Sequence, residues 1–223
     1  MVLSSSTTNL VPATHFERSL QRLNQEVLRM GTLVESSFRL AHQALFATNL
    51  SALSEIEALE TQIDRYYRQI ELDCAKLIAL QRPVAQDLRQ ISAFMQLVRD
   101  LERIGDYAQD LAELSLKLMP YPPHPLLPEV AEMSNQAQGM LATSLVALAE
   151  LDAAAGGHVK VMDDVVDLAH DTLYEQLAKA RDIKGVVEPI LLLGLVIRHI
   201  ERMADHATNI GQRVSYIVTG QRG

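Results

Sequence analysis

Two acidic segments that lie 99 residues apart carry side chains able to bind a metal ion. Within each segment the candidate ligands are spaced four residues apart: Glu102, Asp106, Asp110, and Glu201, Asp205, Asn209. Each step of four residues turns an α-helix by about 400°, so the three side chains of a segment share one face. Carboxylate and amide oxygens grouped in this way are the ligands that hard metal ions prefer.

Two further acidic pairs repeat this spacing at matching positions of the two halves. They are Glu60 with Asp64, and Asp163 with Asp167. If the helices that carry these pairs pack against the two acidic segments, each half gathers at least four carboxylates. Like charges four residues apart destabilise a helix by roughly 0.2–0.5 kcal/mol unless a cation neutralises them.

The neutralising cation is either a metal ion or an arginine. An all-oxygen ligand set favours iron, manganese, magnesium or calcium over zinc, which prefers Cys and His. Arg103 and Arg202 directly follow the two glutamates, and we expect them to pair with acids across the bundle. His206 follows Asp205, but its counterpart in the other segment is Tyr107, so we expect no ligand role for it.

Two other function classes remain open. Asp167 and His170 have the spacing of half a di-iron carboxylate motif, which is typical of ferritin-like storage or redox bundles. Their counterparts are Asp64 and Tyr67, which break that motif in the first half. A purely structural helical adaptor, whose acids only solubilise it, is the second alternative. We predict no enzyme, because the sequence has neither a Gly-rich phosphate loop nor a nucleophile elbow.

Composition and charge exclude several partners. The 223 residues carry a formal net charge of -8, so we expect no nucleic-acid binding, which needs clustered Lys and Arg. The single cysteine, Cys74, can build neither a disulfide framework nor a thiolate metal site, and it suits a reducing cytosol. No apolar run approaches the roughly 20 residues of a membrane span, and the N-terminus lacks a signal-peptide pattern. We therefore expect a soluble, cytoplasmic protein.

The residue pattern predicts six helices. Ala and Leu dominate, aromatic residues make up only 4%, and apolar residues recur at spacings of three and four. We place the helices at about 16–47, 52–80, 84–118, 128–153, 158–181 and 186–218, with the glycines of "AAAGGH" ending the fourth and Gly220 ending the sixth. Residues 1–13 are Ser/Thr-rich and predicted to be frayed, and residues 119–127 form a proline-rich linker.

The two halves are related by an internal repeat. Between 98–111 and 197–210, five of fourteen positions are identical, including Arg99/Arg198 and Glu102/Glu201. Unrelated segments would share roughly one. The sequence thus predicts an all-α fold of two tandem, internally duplicated three-helix bundles, at 14–118 and 128–219.

These motifs carry a family resemblance. The segment "LETQIDRYYRQIELDCAKLIALQRPVAQDLRQISAFMQLVRDLERIGDYAQDLAEL" (59–114) resembles the first half of the PhoU family of bacterial phosphate-transport regulators. The segments "VVDLAHDTLYEQLAKA" and "RHIERMADHATNIGQRVSYIVTGQ" resemble its second half. The second half has "DIKGVVEPI" where the first has "QRPVAQDLR", so there the resemblance rests on the "ER..D" helix.

The resemblance implies a function, a set of sites and partners. Family members carry E(D)-x-x-x-D motifs that bind iron or other metal clusters, and these match Glu60/Asp64, Glu102/Asp106, Asp163/Asp167 and Glu201/Asp205. The family acts as a negative regulator of the phosphate-starvation response. The resemblance implies that the protein links the ATPase subunit of the phosphate ABC transporter to a sensor histidine kinase. We also expect a homodimer.

Overall fold

The structure, a computed structural model, describes residues 14–49, 51–179 and 186–221. These described residues form six α-helices and no strand, which confirms the predicted all-α class. The helices are α1 (His15–Phe46), α2 (Ala52–Gln81), α3 (Ala85–Leu118), α4 (Leu127–Glu150), α5 (Ala153–Ala178) and α6 (Glu188–Thr219). The predicted frayed segment 1–13 lies outside the described residues.

The helices form two bundles that meet through equivalent helices. Helices α1, α2 and α3 all contact one another, and so do α4, α5 and α6. Across the two bundles, α1 contacts α4 and α3 contacts α6, so each bundle uses its first and third helix. This arrangement agrees with two tandem three-helix bundles. The residue bounds of the two repeats and of the linker stay a prediction.

A single hydrophobic core runs through both bundles. In α1 the buried positions follow the predicted spacing of three and four, with Val27, Met30 and Val34 fully enclosed. The largest enclosed side chains of the first bundle include Phe38 and Phe94. Burying one such side chain contributes roughly 1.5–3 kcal/mol. Among the described residues, no helix combines the length and the hydropathy needed to span a membrane.

Local residues define the helix ends. Thr14 begins α1 with a capping box: its Oγ1 accepts from Glu17 N at 3.2 Å, and Glu17 Oε2 accepts from Thr14 N at 2.6 Å. Arg82 adopts a left-handed conformation before Pro83 and ends α2. Gly220, with φ of 75°, ends α6 as predicted.

The boundary between α4 and α5 differs from the sequence-based expectation. The fourth helix ends at Glu150 rather than near 153, because Leu151 turns left-handed and Asp152 caps the next helix. Asp152 Oδ1 accepts from two backbone N–H groups at 2.8 and 3.1 Å. The prediction that the glycines end α4 is therefore wrong. They lie inside α5, where Gly156 allows close contact with Gly211 of α6.

Candidate metal centres

In the first bundle, the two predicted acidic pairs lie on neighbouring helices that pack together. Glu60 and Asp64 belong to α2, and Glu102 and Asp106 belong to α3. Burial raises the pKa of Glu60, and the charges of Asp64 and of Asp106 on the other helix raise it further. Burial likewise raises the pKa of Glu102 and of Asp106, and the charge of Asp64 adds to both. The four carboxylates are thus close enough to repel one another.

Arginines on the same helices partly neutralise this cluster. Arg68 bonds to Asp64 one turn away. Arg103 Nη1 donates to Asp106 Oδ2 at 3.1 Å. The prediction that Arg103 pairs across the bundle is wrong, because residues three apart on one helix already lie within reach of each other. The same holds for Arg202, whose Nη1 donates to Asp205 Oδ2 at 3.2 Å.

The second bundle repeats the arrangement on α5 and α6. Burial raises the pKa of Asp167, and the charges of Asp163 and of Asp205 on the neighbouring helix raise it further. Burial and the charge of Asp205 also raise the pKa of Glu201. Arg198 Nη1 donates to both carboxylate oxygens of Glu201, at 2.9 and 3.0 Å. Both bundles therefore juxtapose two acidic helices, as the repeat predicted.

Asp163 differs from the other acids in its burial. The residue is only 3% exposed, and Lys160 Nζ donates to its Oδ2 at 2.8 Å. Its second oxygen, Oδ1, is enclosed and has no hydrogen-bond partner among the described residues. Leaving a buried acceptor unsatisfied costs about 1–3 kcal/mol, and more for a charged group. A bound cation would remove this cost.

The residue types fit a hard metal ion, but the side chains are not arranged as a complete ligand set. Within 14–49, 51–179 and 186–221, no three His, Cys, Asp or Glu side chains are placed to hold a metal ion. Arg68 and Arg103 in the first bundle, and Arg198 and Arg202 in the second, already donate to carboxylate oxygens that a metal ion would use. The ligand roles and the identity of the metal therefore stay a prediction.

The remaining two predicted ligands, Asp110 and Asn209, lie where α3 contacts α6. Asn209 Nδ2 donates to Asp100 Oδ1 at 3.2 Å, and His206 Nδ1 contacts the same oxygen at 2.8 Å. Asp110 Oδ2 lies 4.0 Å from His199 Nε2. We call these five residues the polar interface. The ligand roles of Asp110 and Asn209 stay a prediction.

The polar interface follows the internal repeat. An offset of 99 residues relates Asp100 to His199 and Asp110 to Asn209, so the contacts Asp100–Asn209 and His199–Asp110 are equivalent. Burial lowers the pKa of His199, whose ring lies tilted against that of Tyr107 with centroids 5.2 Å apart. The sequence analysis did not single out Asp100 and His199, which the structure places in the α3–α6 contact. The signal was available, since both are polar residues at one repeat position on otherwise apolar helix faces.

Comparison with known proteins agrees with the repeat. The family model described as "PhoU domain" matches twice, at residues 27–115 and 130–214. The chain is 66% identical over 209 residues to the phosphate-specific transport system accessory protein PhoU homolog of Synechocystis sp., covering 94% of this chain and 93% of that one. It is 31% identical to the homolog of the same name from Clostridium acetobutylicum, covering 93% and 95%.

Solved structures show the same architecture. The crystal structure of PhoU from Pseudomonas aeruginosa superposes with a TM-score of 0.89 at 31% identity, covering 93% of this chain and 100% of that one. The phosphate transport system regulatory protein PhoU from Streptococcus pneumoniae gives 0.85 at 28% identity, covering 94% and 99%. Since the family model spans both bundles and these relatives match nearly end to end, the chain belongs to the PhoU family.

Proposed function

We propose that this protein is a non-enzymatic negative regulator of phosphate uptake and of the phosphate-starvation response. The observation that carries the proposal is the PhoU domain matched in both halves. Relatives that align over more than nine-tenths of the chain are named accessory or regulatory proteins of phosphate transport. The protein would act by binding partners: the ATPase subunit of the phosphate ABC transporter and a sensor histidine kinase. This role places it in the cytoplasm, and we propose that it works as a homodimer.

The acidic clusters have a place in this proposal. The Glu60, Asp64, Glu102 and Asp106 group of the first bundle, and the Asp163, Asp167, Glu201 and Asp205 group of the second, would each hold iron, manganese or magnesium. Such an ion would supply positive charge that relieves carboxylate repulsion and fixes two helices against each other. The enclosed Oδ1 of Asp163 and the raised pKa values of five of these carboxyls support this role.

A deletion strain tests the regulatory role. Cells that lack the protein are expected to express phosphate-scavenging genes in phosphate-rich medium, and a plasmid copy of the wild-type gene is expected to restore repression. Reporter expression is the measurement. Normal repression in the deletion strain, with no second gene of the family present, would show that the regulatory role is wrong.

Co-purification tests the proposed partners separately. Tagged wild-type protein is expected to retain the transporter's ATPase subunit and the sensor histidine kinase from a lysate. An unrelated tagged helical protein of similar charge serves as the control. Recovery of neither partner at levels above that control would contradict the linking role, even if the deletion strain loses repression.

A further inference from the structure

An open groove lies beside the polar interface, on the side of the first bundle. It measures about 660 Å³ and is bordered by α2, α3 and α6. Its lining includes three arginines and three ring-bearing residues: Arg99, Arg103, Arg213, Tyr67, Tyr107 and His206. The volume lies within the roughly 300–1,000 Å³ range of small-molecule sites.

Most charged groups in this groove already have partners. Asp100 accepts from His206 and Asn209 at the base of the groove. Glu71 accepts a hydrogen bond from Tyr67. Burial is the main cause of the raised pKa of Tyr67, and this hydrogen bond raises that pKa further. Arg103 is held by Asp106 and lies 3.6 Å from Glu102. Both carboxylates that line the groove, Glu71 and Asp100, therefore have hydrogen-bond donors within the protein.

Two guanidinium groups are left over. Arg213 is half-buried, and its Nε is enclosed with no hydrogen-bond partner among the described residues. Arg99 is exposed and makes neither a hydrogen bond nor a close ion pair within that part of the chain, although the longer-range charge of Glu102 acts on it. A guanidinium carries five N–H donors in a planar fork that fits phosphate or carboxylate oxygens. An enclosed donor without an acceptor is unfavourable, so an anion here would be stabilising.

The repeat positions equivalent to Arg99 and Arg213 do not provide a second pair of unpaired arginines, although the two halves are related in sequence. Arg99 corresponds to Arg198, yet Arg198 donates to Glu201 at 2.9 and 3.0 Å whereas Arg99 is unpaired within the described ranges. The residue at the position equivalent to Arg213 is Leu114, which is buried in the core. The pair formed by Arg99 of α3 and Arg213 of α6 therefore has no repeat-related counterpart among the described residues.

We propose that this groove binds a small organic molecule through a phosphoryl group held between Arg99 and Arg213. A phosphoryl dianion matches two separate guanidinium forks better than a single carboxylate does. Inorganic phosphate would fill only a part of the volume, so the ligand carries a further group, which lies against Tyr67 and Tyr107. Asp100 positions the ring of His206, whose Nδ1 lies 2.8 Å from Asp100 Oδ1. The proposal is independent of the regulatory role and of bound metal.

Calorimetric titration of the full chain tests this site, with AMP and inorganic phosphate as separate probes and a chelator present. We expect saturable binding of one AMP per chain, with inorganic phosphate weaker. Arg99→Ala and Arg213→Ala should each weaken AMP binding by about tenfold or more, because each removes a charge-assisted interaction. Arg198→Ala, the same replacement at the equivalent repeat position, should change affinity by less than about twofold.

The variants also distinguish a specific organic-phosphate site from weaker kinds of anion binding. Equal affinity for AMP and inorganic phosphate would overturn the organic part of the proposal and leave a site for the phosphate ion. Equal losses in Arg99→Ala and Arg198→Ala would show diffuse charge attraction and overturn the site. No saturable binding of either probe would also overturn it. Circular dichroism shows whether each variant folds. If Arg213→Ala does not fold, Arg99→Ala alone decides the test, since Arg99 is exposed.

Discussion

The acidic pairs are the residues for which we propose metal binding and for which the structure shows arginine partners. Each carboxylate pair is a turn apart on one helix and faces a second pair on the neighbouring helix. Arginines at i+3 or i+4 satisfy some of these charges, but the pKa values of Glu60, Glu102 and Asp106 remain raised. Burial is the largest cause of this rise and the charges of neighbouring carboxylates add to it, so the arginines leave part of the repulsion in place. A multivalent cation would remove more of it, because its charge is concentrated within about 2.0–2.6 Å of each oxygen.

Paired alanine variants test the metal sites. Glu102→Ala with Asp106→Ala is expected to lower metal content by about half, because only the first cluster loses ligands. Glu201→Ala with Asp205→Ala should do the converse and spare the first cluster. Elemental analysis of protein purified without chelators is the measurement. The control is Glu55→Ala with Glu57→Ala, an equal charge change at exposed positions of α2. Retention of the full metal load in both cluster variants would assign these acids to arginine pairing.

A conservative replacement tests the repulsion without metal. Burial and neighbouring charge raise the folded-state pKa of Glu102, so its ionised form is disfavoured in the folded protein. In chelator at pH 7, Glu102→Gln should raise the free energy of unfolding by roughly 0.2–0.5 kcal/mol. As pH falls through the raised pKa, wild-type Glu102 takes up a proton and gains the same stability, so the difference should vanish.

Urea unfolding at several pH values measures this difference. Glu113→Gln, at an exposed position of the same helix, is the matched control and should leave stability nearly unchanged at every pH. A Glu102→Gln variant that is less stable than wild type at pH 7 would contradict the prediction. That result would mean that the contact with Arg103, at 3.6 Å, outweighs the carboxylate repulsion.

At the scale of helices, α5 and α6 cross in close contact at Gly156 and Gly211. A Cβ on Gly156 would lie 2.6 Å from Gly211 O, and a Cβ on Gly211 would lie 2.5 Å from Gly156 O. Both contacts involve backbone atoms, which cannot rotate away. The two glycines thus set the spacing of the helices that carry Asp163, Asp167, Glu201 and Asp205. The acidic cluster of the second bundle depends on this crossing.

Alanine substitutions test the crossing. Gly156→Ala or Gly211→Ala is expected to destabilise the protein by about 1–3 kcal/mol, because the helices must separate. Gly157→Ala, one residue away with nothing within 4 Å of the added Cβ, should stabilise it by roughly 0.5–1 kcal/mol through helix propensity. Thermal unfolding measures both effects. A Gly156→Ala variant as stable as Gly157→Ala would show that the helices can shift at little cost.

At the scale of the whole molecule, the two bundles share one core. The contacts of α1 with α4 and of α3 with α6 join the hydrophobic residues of both halves into one cluster. The polar interface is part of the α3–α6 contact, where Asp100 binds His206 and Asn209. An internal repeat of sequence therefore need not mean two independent folding units. Unfolding one bundle would expose the apolar face of the other.

Calorimetry tests this coupling. We expect one unfolding transition for the wild-type chain. Phe94→Ala, at a fully buried site of the first bundle, should shift the whole transition, with a loss of about 3–5 kcal/mol. Leu80→Ala is the control, since Leu80 is 76% exposed and should have little effect. Two resolved transitions, with only one moved by Phe94→Ala, would show that the bundles unfold separately.

The sequence by itself determined the all-α class, the pairing of acidic helices and the internal repeat. Apolar spacing, proline positions and matched residues such as Glu102 and Glu201 are local or periodic signals. They can be recognised in the sequence without knowing how the helices pack. The sequence-based prediction was wrong at the α4–α5 boundary. There Asp152 caps α5, and Gly156 lies inside α5, where it allows close contact with α6. A glycine that permits close contact and one that ends a helix look alike in sequence.

Only the tertiary structure decided which repeat-related residues meet and which remain unpaired. The α3–α6 contact brings Asp100 within hydrogen-bond distance of Asn209, which lies 109 residues later in the chain. No local sequence pattern predicts this pairing. The same contact places Arg213 beside the groove that Arg99 lines, while Arg198 stays paired to Glu201. Equivalent sequence positions thus acquire different partners, because long side chains adopt rotamers set by whatever neighbour the packing supplies.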